Sequence, residues 1–337
     1  VPTGVFSAMD GFVEDLLRWL DVQCTADCKV LTIPHNPNFS WGLMFGDSNS
    51  DGTPLNAANL ALRARYDALV EVFQAKGSSE CTRAVGTNDE QCDFENIFPA
   101  CSPEQARVDG QTGQHDKRCV ASNDMVRNVL KRGLLDAKRW GFNPYQLGMV
   151  GSTDNHNGAP GDTQESTWNG HGGVNDAQPA QRLGIKRSMV AKVVGLSPGS
   201  INPGGLAGVW AEENTREALW DALRRKETFG TSGTRVRVRL FAGFGLPADL
   251  HQRPNAVALA YQGGVPMGGE LHQAAPGQAL SLLVMALRDA NSAPLQRIQV
   301  VKGWVRDGVA QERVFDVACS DGIVPDANQR CRDNGAR

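Results

Sequence analysis

No apolar run in this 337-residue chain approaches the roughly 20 residues that a membrane-spanning helix needs, so no span is expected. A dominant charge sign is also missing. Thirty-four Lys and Arg against 37 Asp and Glu leave a net charge of -3, which gives no reason to expect a nucleic-acid partner. There is no Cys-x-x-Cys pair and no His at zinc-finger spacing, which argues against a structural zinc site. Internal repeats and long low-complexity tracts are absent too, which excludes a solenoid or a disordered linker protein. The chain begins at Val1, without an initiator Met and without a charged-then-apolar leader, and so reads as a processed or truncated product.

What remains is the composition of an ordinary globular protein, 41% hydrophobic and 21% charged, long enough for a large core and more than one domain. The eight cysteines lie mostly in polar stretches rich in Gly, Asp, Asn and Ser that read as surface loops. An even number in such loops points to disulfides and an oxidising compartment, periplasmic or secreted. Cys24–Cys28 and Cys319–Cys331 are the simplest local pairs, although many other connectivities are open.

The first two-thirds of the chain alternates helical patterns with short apolar strands. Helices are expected at residues 9–20, 56–66, 122–140 with Ser122 as N-cap and Gly141 as stop, and 214–226 with an Asn214…Glu217 capping box. Strands are expected at 29–33, 69–73 and 147–150. This alternation implies an α/β layer or barrel. After Gly230 the period changes to two, beginning at Arg235–Leu240, with further strands at 280–287, 295–301 and 314–318 and a hairpin turn at Asp307-Gly308. The boundary is set near 232, with a small β-sandwich-like module over 232–337. Residues 151–173, rich in Gly, Asn and Asp, read as a functional loop.

Three of the short strands end in a potential metal ligand: Ile33-Pro34-His35, Val70-Glu71-Val72, and Ser152-Thr153-Asp154-Asn155-His156. Strand ends converge on one rim in parallel α/β folds, and imidazole with carboxylate suits Zn, Mn or Fe. Each piece alone is weak, since a lone His after a strand is more often a surface residue. A Glu inside an apolar strand says more, because burying a carboxylate without a partner is costly. The three together, in this order, are considerably stronger.

These elements resemble the "HP", "Ev" and "SDxH" strand ends of the PHP (polymerase and histidinol phosphatase) superfamily. Longer stretches are similar to one family, the domain of unknown function 3604: IPHNPNFSWGLMF (33–45), RYDALVEVFQAKGSSE (65–80), NDEQCDFE (88–95), GFNPYQLGMVGSTDNHNG (141–158), GVWAEENTREALWDALRRKETFGTSGTRVRVR (208–239) and RIQVVKGW (297–304). The resemblance implies that His35, Glu71, Asp154 and His156 are metal ligands on part of a distorted β/α barrel spanning residues 1–231. It also implies an earlier His-x-His element, which the sequence lacks. The expected partner is therefore a segment of the same protein that carries it, completing a site for two or three divalent ions.

The implied chemistry is hydrolysis of a phosphoester or a related ester, amide or carbamate-like bond in a small molecule, by metal-activated water. Asp154 would orient that water or take its proton, and His171 is a further ligand or general acid. Lys76, Asn38 and Asn155 are candidates for substrate contact, with a solvated surface position as the plain reading of Lys76. His115, His251 and His272 read as surface residues. Asp47-x-Asn49-x-Asp51-Gly52 opens like a calcium loop, but Ala58 stands where the bidentate Glu belongs, so a turn is the better reading. The competing class is a non-catalytic binding or structural protein on a degenerate barrel.

Overall fold

The computed structural model describes residues 13–109, 113–173, 178–182, 201–272 and 274–332. Helix α1 (Val13–Gln23) presents Leu17 and Leu20 at helical spacing, and both are buried against Tyr66 of α2 (Ala57–Tyr66). Asn56 starts α2 from an extended conformation by accepting from the Asn59 amide, one of the donors every helix start leaves open. The calcium-like stretch closes as a turn, with Asp51 Oδ1 accepting from the Thr53 amide and hydroxyl at 2.9 and 2.5 Å.

The strand expected at 29–33 is reduced to one parallel bridge between Thr32 and Asp67. Pro34 is the physical reason, since it has no amide to continue a ladder. The segment still runs beside strand β1 (Leu69–Gln74): the Thr32 amide donates to the Tyr66 carbonyl at 2.8 Å, and the Glu71 amide to the Pro34 carbonyl at 3.0 Å.

Every residue of β1 is buried. It pairs antiparallel with β2 (Gly77–Ser78) and parallel with β3 (Gly148–Gly151), which follows helix α3 (Val126–Trp140). Period two sends Val70 and Val72 into the core formed by Phe45, Leu60, Val126, Val129, Tyr145 and Leu147. Each such side chain contributes about 1.5–3 kcal/mol relative to exposure. Leu69 packs on the opposite face with Ala68 and Val150. Glu71 therefore shares the face of Leu69, away from the helical core. Gly141 stops α3 at φ 83, as expected, but Ser122 does not cap it. Residues Ser122–Asp124 form a 3-10 turn instead, and Asp124 accepts from the Ala121 amide at 2.8 Å.

Beyond α4 (Pro179–Arg182), strand β4 (Leu206–Val209) pairs antiparallel with β5 (Thr228–Thr231) around helix α5 (Arg216–Arg224). Thr215, not Asn214, caps α5 by accepting from the Ala218 amide at 3.3 Å. Glycines let the β4–β5 pair press against β3. A Cβ on Gly151 would stand 2.8 Å from the Thr231 carbonyl oxygen, and one on Gly205 only 2.2 Å from it. The Gly205 amide donates to the Ser152 carbonyl at 2.6 Å and Thr228 Oγ1 to the Met149 carbonyl at 3.0 Å. The α/β character expected from the sequence is present in small sheets, and none closes into a barrel among the described residues.

The C-terminal third holds β6 (Arg237–Phe244), α6 (Ala256–Gly263), β7 (Val265–Pro266) and β8 (Leu280–Leu287), with sheet order β7-β6-β8. Helix α6 was not expected, because its apolar run carries no helical stripe to read. A separate hairpin of β9 (Arg297–Arg306) and β10 (Val309–Cys319) turns at Asp307-Gly308, both at positive φ as that dipeptide favours. The sheet and the hairpin line a cleft of about 1000 Å³. Lys131 of α3 ties to Glu312 of the hairpin at 3.3 Å. Four disulfides join Cys24–Cys28, Cys81–Cys92, Cys101–Cys119 and Cys319–Cys331, including both local pairs expected from the sequence. No described helix is long and apolar enough to cross a membrane.

Candidate metal centre

Glu71 is only 5% exposed. The Ser152 hydroxyl donates to its Oε2, while Oε1 is buried with no hydrogen-bond partner in the protein. A carboxylate oxygen in that position is costly unless a cation or a water meets it.

Lys76 overturns the surface reading: it is 6% exposed. The chain turns from β1 into β2 at this point and folds the side chain inward, where Nζ lies 2.5 Å from both Asn38 Oδ1 and Ser79 Oγ. Burial pushes its ammonium down to about 7, with the charges of Glu71 and Asp154 acting in the opposite direction. Asn38 is buried as well, and its amide donates to the Ser78 carbonyl at 3.1 Å. Gln74, at the end of β1, fixes the approach to Asn38 by donating to Asn36 Oδ1 at 2.6 Å. Asn36 itself sits at φ 60, between Pro34 and Pro37. His35 is solvent-exposed at this turn.

The third strand end bends at Asp154, whose φ of 51 is a left-handed conformation that Asp tolerates better than most residues. His156 Nε2 stands 3.3 Å from Asp154 Oδ1. The His156 amide donates to the His171 carbonyl at 2.8 Å, and the two imidazole rings are 4.6 Å apart between centroids. Asn157 adds a bond to the Gly170 carbonyl at 2.6 Å. The expected functional loop is thus closed on itself by one main-chain bond and one bond from a side chain to the main chain. Asn155 braces it from within, donating to the Ala159 and Asp162 carbonyls at 3.2 and 3.4 Å and accepting from Trp168 Nε1 at 3.4 Å.

Asp154, His156 and His171 each offer one donor atom, all within 4.8 Å of one another. Two imidazoles with one carboxylate form a mixed nitrogen–oxygen set that fits a borderline divalent metal. The structure brings these three together and does not bring His35 or Glu71 into the same group. His171 is buried, whereas His156 is exposed.

The sequence reading missed Ser79, Gln74 and Ser152, and it misplaced His115. That imidazole is buried, not on the surface, with Nε2 2.6 Å from Asp124 Oδ2. Asp124 is wholly buried and also accepts from the Gly42 and Ala121 amides, both at 2.8 Å, and from the Ser40 hydroxyl at 3.4 Å. It clamps the turn that follows Asn38. A polar residue just before a helix was the available signal, and it was assigned to Ser122. His251 and His272 are exposed, as expected.

No curated protein and no solved structure matches the chain. The family model described as Protein of unknown function (DUF3604) matches residues 2–337, and the chain belongs to that family.

Proposed function

We propose that the chain carries the metal-ligating residues of a PHP-like, metal-dependent hydrolase. One observation carries this reading: the donors of Asp154, His156 and His171 lie within 4.8 Å of one another on a loop closed by the His156–His171 main-chain bond and the Asn157 side chain. The set suits Zn, Mn or Fe. Glu71, whose buried Oε1 lacks a partner, is the next ligand, and His35 and an earlier His-x-His element of the same protein complete a site for two or three ions. The body over 1–231 holds this centre and 232–337 is an accessory β-rich module.

Bound there, a divalent ion supplies Lewis acidity and lowers the pKa of its water to about 7. The chain's own groups do the rest. Asp154 orients the His156 imidazole and accepts a proton from the attacking water. His171, buried beside them, holds the ion as the third ligand, and Asp154 passes its proton on to the leaving group. Lys76, held by Asn38 and Ser79, presents a cation to the negative oxygens of a small-molecule phosphoester or a related ester, amide or carbamate. Asn155 keeps the loop in shape around the substrate. The four disulfides favour a periplasmic or secreted location.

The test is metal analysis of the purified full chain after loading with Zn²⁺ or Mn²⁺ and desalting. At least one tightly held ion is expected in the wild type and in His251→Ala, with affinity reduced about 10–100-fold or more in His156→Ala. A wild-type protein that holds neither metal removes the reading. The exposure of His35, outside the ligand group, favours a second reading as a metal-stabilised binding protein. Retained metal with no hydrolysis across a broad ester screen would select it.

A further inference from the structure

Among the described residues one other set of donors converges within 4.8 Å: Cys101, His115 and Cys119. The two cysteines are joined as a disulfide, and Cys101 Sγ lies 3.7 Å from His115 Nδ1. The opposite ring nitrogen, Nε2, is 2.6 Å from the buried carboxylate of Asp124. That is the outer partner a metal-ligating imidazole commonly has: a carboxylate on one nitrogen fixes the ring and makes the other nitrogen more basic. Nδ1 at present bonds the Asp116 carbonyl at 2.8 Å, so it already faces the sulfurs and a polar edge.

We propose that reduction of the Cys101–Cys119 bond converts this corner into a zinc site, with Cys101 Sγ, Cys119 Sγ and His115 Nδ1 as ligands and Asp124 as the carboxylate behind the imidazole. It is independent of the Asp154, His156 and His171 group, and neither site needs the other. Two thiolates and one imidazole are a preferred zinc donor set, and three protein ligands leave a fourth position for water. With zinc–sulfur bonds of about 2.3 Å the sulfurs must part to about 3.8 Å, a side-chain movement. Main-chain hydrogen bonds tie this corner together alongside the disulfide. The Cys101 amide donates to the Val120 carbonyl at 2.9 Å, the Val120 amide to the Pro99 carbonyl at 2.9 Å, and the His115 amide to the Trp41 carbonyl at 3.0 Å. These bonds hold both cysteines and the imidazole together after the sulfur–sulfur bond is cut.

The chemistry balances with a dithiol as reductant. Two electrons pass to the Cys101–Cys119 bond, which becomes two thiols, while the dithiol closes to its own disulfide. Zinc uptake then releases one proton from each thiol and one from Nδ1 of the imidazolium. Disulfide and zinc exclude each other, so metal occupancy at this corner reports the redox state of its surroundings.

The full chain is reduced anaerobically with dithiothreitol, desalted, and loaded with Zn²⁺ or with Co²⁺ as a spectroscopic probe. One extra metal equivalent over the oxidised protein is expected, with a cobalt–thiolate charge-transfer band. The gain should persist in Cys24→Ser/Cys28→Ser and vanish in Cys101→Ser/Cys119→Ser. Equal uptake by oxidised and reduced protein, or a gain that survives in the Cys101→Ser/Cys119→Ser variant, overturns the proposal. A second measurement needs no variant: zinc should slow iodoacetamide labelling of Cys101 and Cys119 by about tenfold or more relative to Cys24, read peptide by peptide. Labelling of those two at the same rate with and without zinc overturns it equally.

Discussion

Replacing Asp124 with Ala tests whether one buried carboxylate holds the turn that follows Asn38. In the native chain this wholly buried group accepts from His115 Nε2 at 2.6 Å and from the Gly42 and Ala121 amides at 2.8 Å each. Removing one partner of a buried charged pair costs about 3–5 kcal/mol. Each amide left without a partner adds about 1–3 kcal/mol, although water entering the vacated space recovers part of it. A net loss of about 4 kcal/mol is expected, a large share of the roughly 5–15 kcal/mol by which a folded domain is stable. Urea unfolding with the disulfides intact measures it, and Asp124→Asn, which keeps one acceptor oxygen, should fall between. Hydrogen exchange locates it: the Gly42 amide should lose protection in the variant well before amides of β1 do. A loss below about 1 kcal/mol, the range of an exposed pair, or unchanged protection at Gly42, would refute the clamp.

Lys76→Met should keep the metal content of the wild type while lowering turnover on the best ester substrate by about 100-fold or more; turnover near wild type removes the lysine from the substrate path. Asp316 is buried, which works against its charge. The Cys331 amide, Gln299, Arg297 and Arg330 outweigh burial and hold its carboxyl below the ordinary value. Its contribution is therefore complete above pH of about 4 and is lost as the pH falls through the depressed folded value, so Asp316→Asn should flatten the acid decline of the melting temperature. Superimposable acid limbs in the two proteins would count against it. Gly205→Ala places a Cβ 2.2 Å from the Thr231 carbonyl oxygen and should cost about 1–3 kcal/mol, read as an earlier urea midpoint; an unchanged midpoint would mean that β4 and β5 can move off β3 freely.

The legible parts of the molecule share a cause. Helix α2, strand β1 and the Asp307-Gly308 hairpin are each specified by residues adjacent in sequence, through a cap, a run of buried apolar residues, or a dipeptide that favours positive φ. The Asp154–His156 pair was readable for the same reason, because its two donors are two positions apart. The illegible parts also share a cause. Lys76 is buried where Asn38, 38 residues earlier, accepts a hydrogen bond from its Nζ, and no local pattern separates that lysine from a solvated one in a turn. His115 and Asp124 meet only because the segment between them folds back on itself. Residues 29–33 follow the strand pattern and fail as a strand because the next residue is Pro34, yet they stay beside β1 through the Pro34 carbonyl.

These exceptions lie where the candidate site is built. Around it, irregular backbone takes the place of ladders: Asn36 and Asp154 sit at positive φ, and the turn at residues 40–42 is tied by Asp124 rather than by an apolar stripe. Hydrophobic burial is non-directional and tolerates side-chain shifts of a few tenths of an ångström, whereas a hydrogen bond weakens steeply with misalignment. Groups that must hold a charge or a ligand in one geometry are therefore better fixed by polar hubs such as the buried Asp124 and Gln74 and the half-buried Asn155. The same hubs make the site fragile in a particular way. Substitutions at Val126 or Leu60 should lower the stability of the whole body while leaving the geometry of the remaining folded molecules intact. Those at Gln74 or Asn155 should disturb the centre with little change in global unfolding. A pair of variants makes the contrast measurable: Val126→Ala should shift the urea midpoint and leave metal affinity per folded molecule unchanged, and Asn155→Ala should do the reverse. If both properties fall together in both variants, the loop and the core unfold as one unit, and the division between packing that sets stability and polar hubs that set site geometry fails for this protein.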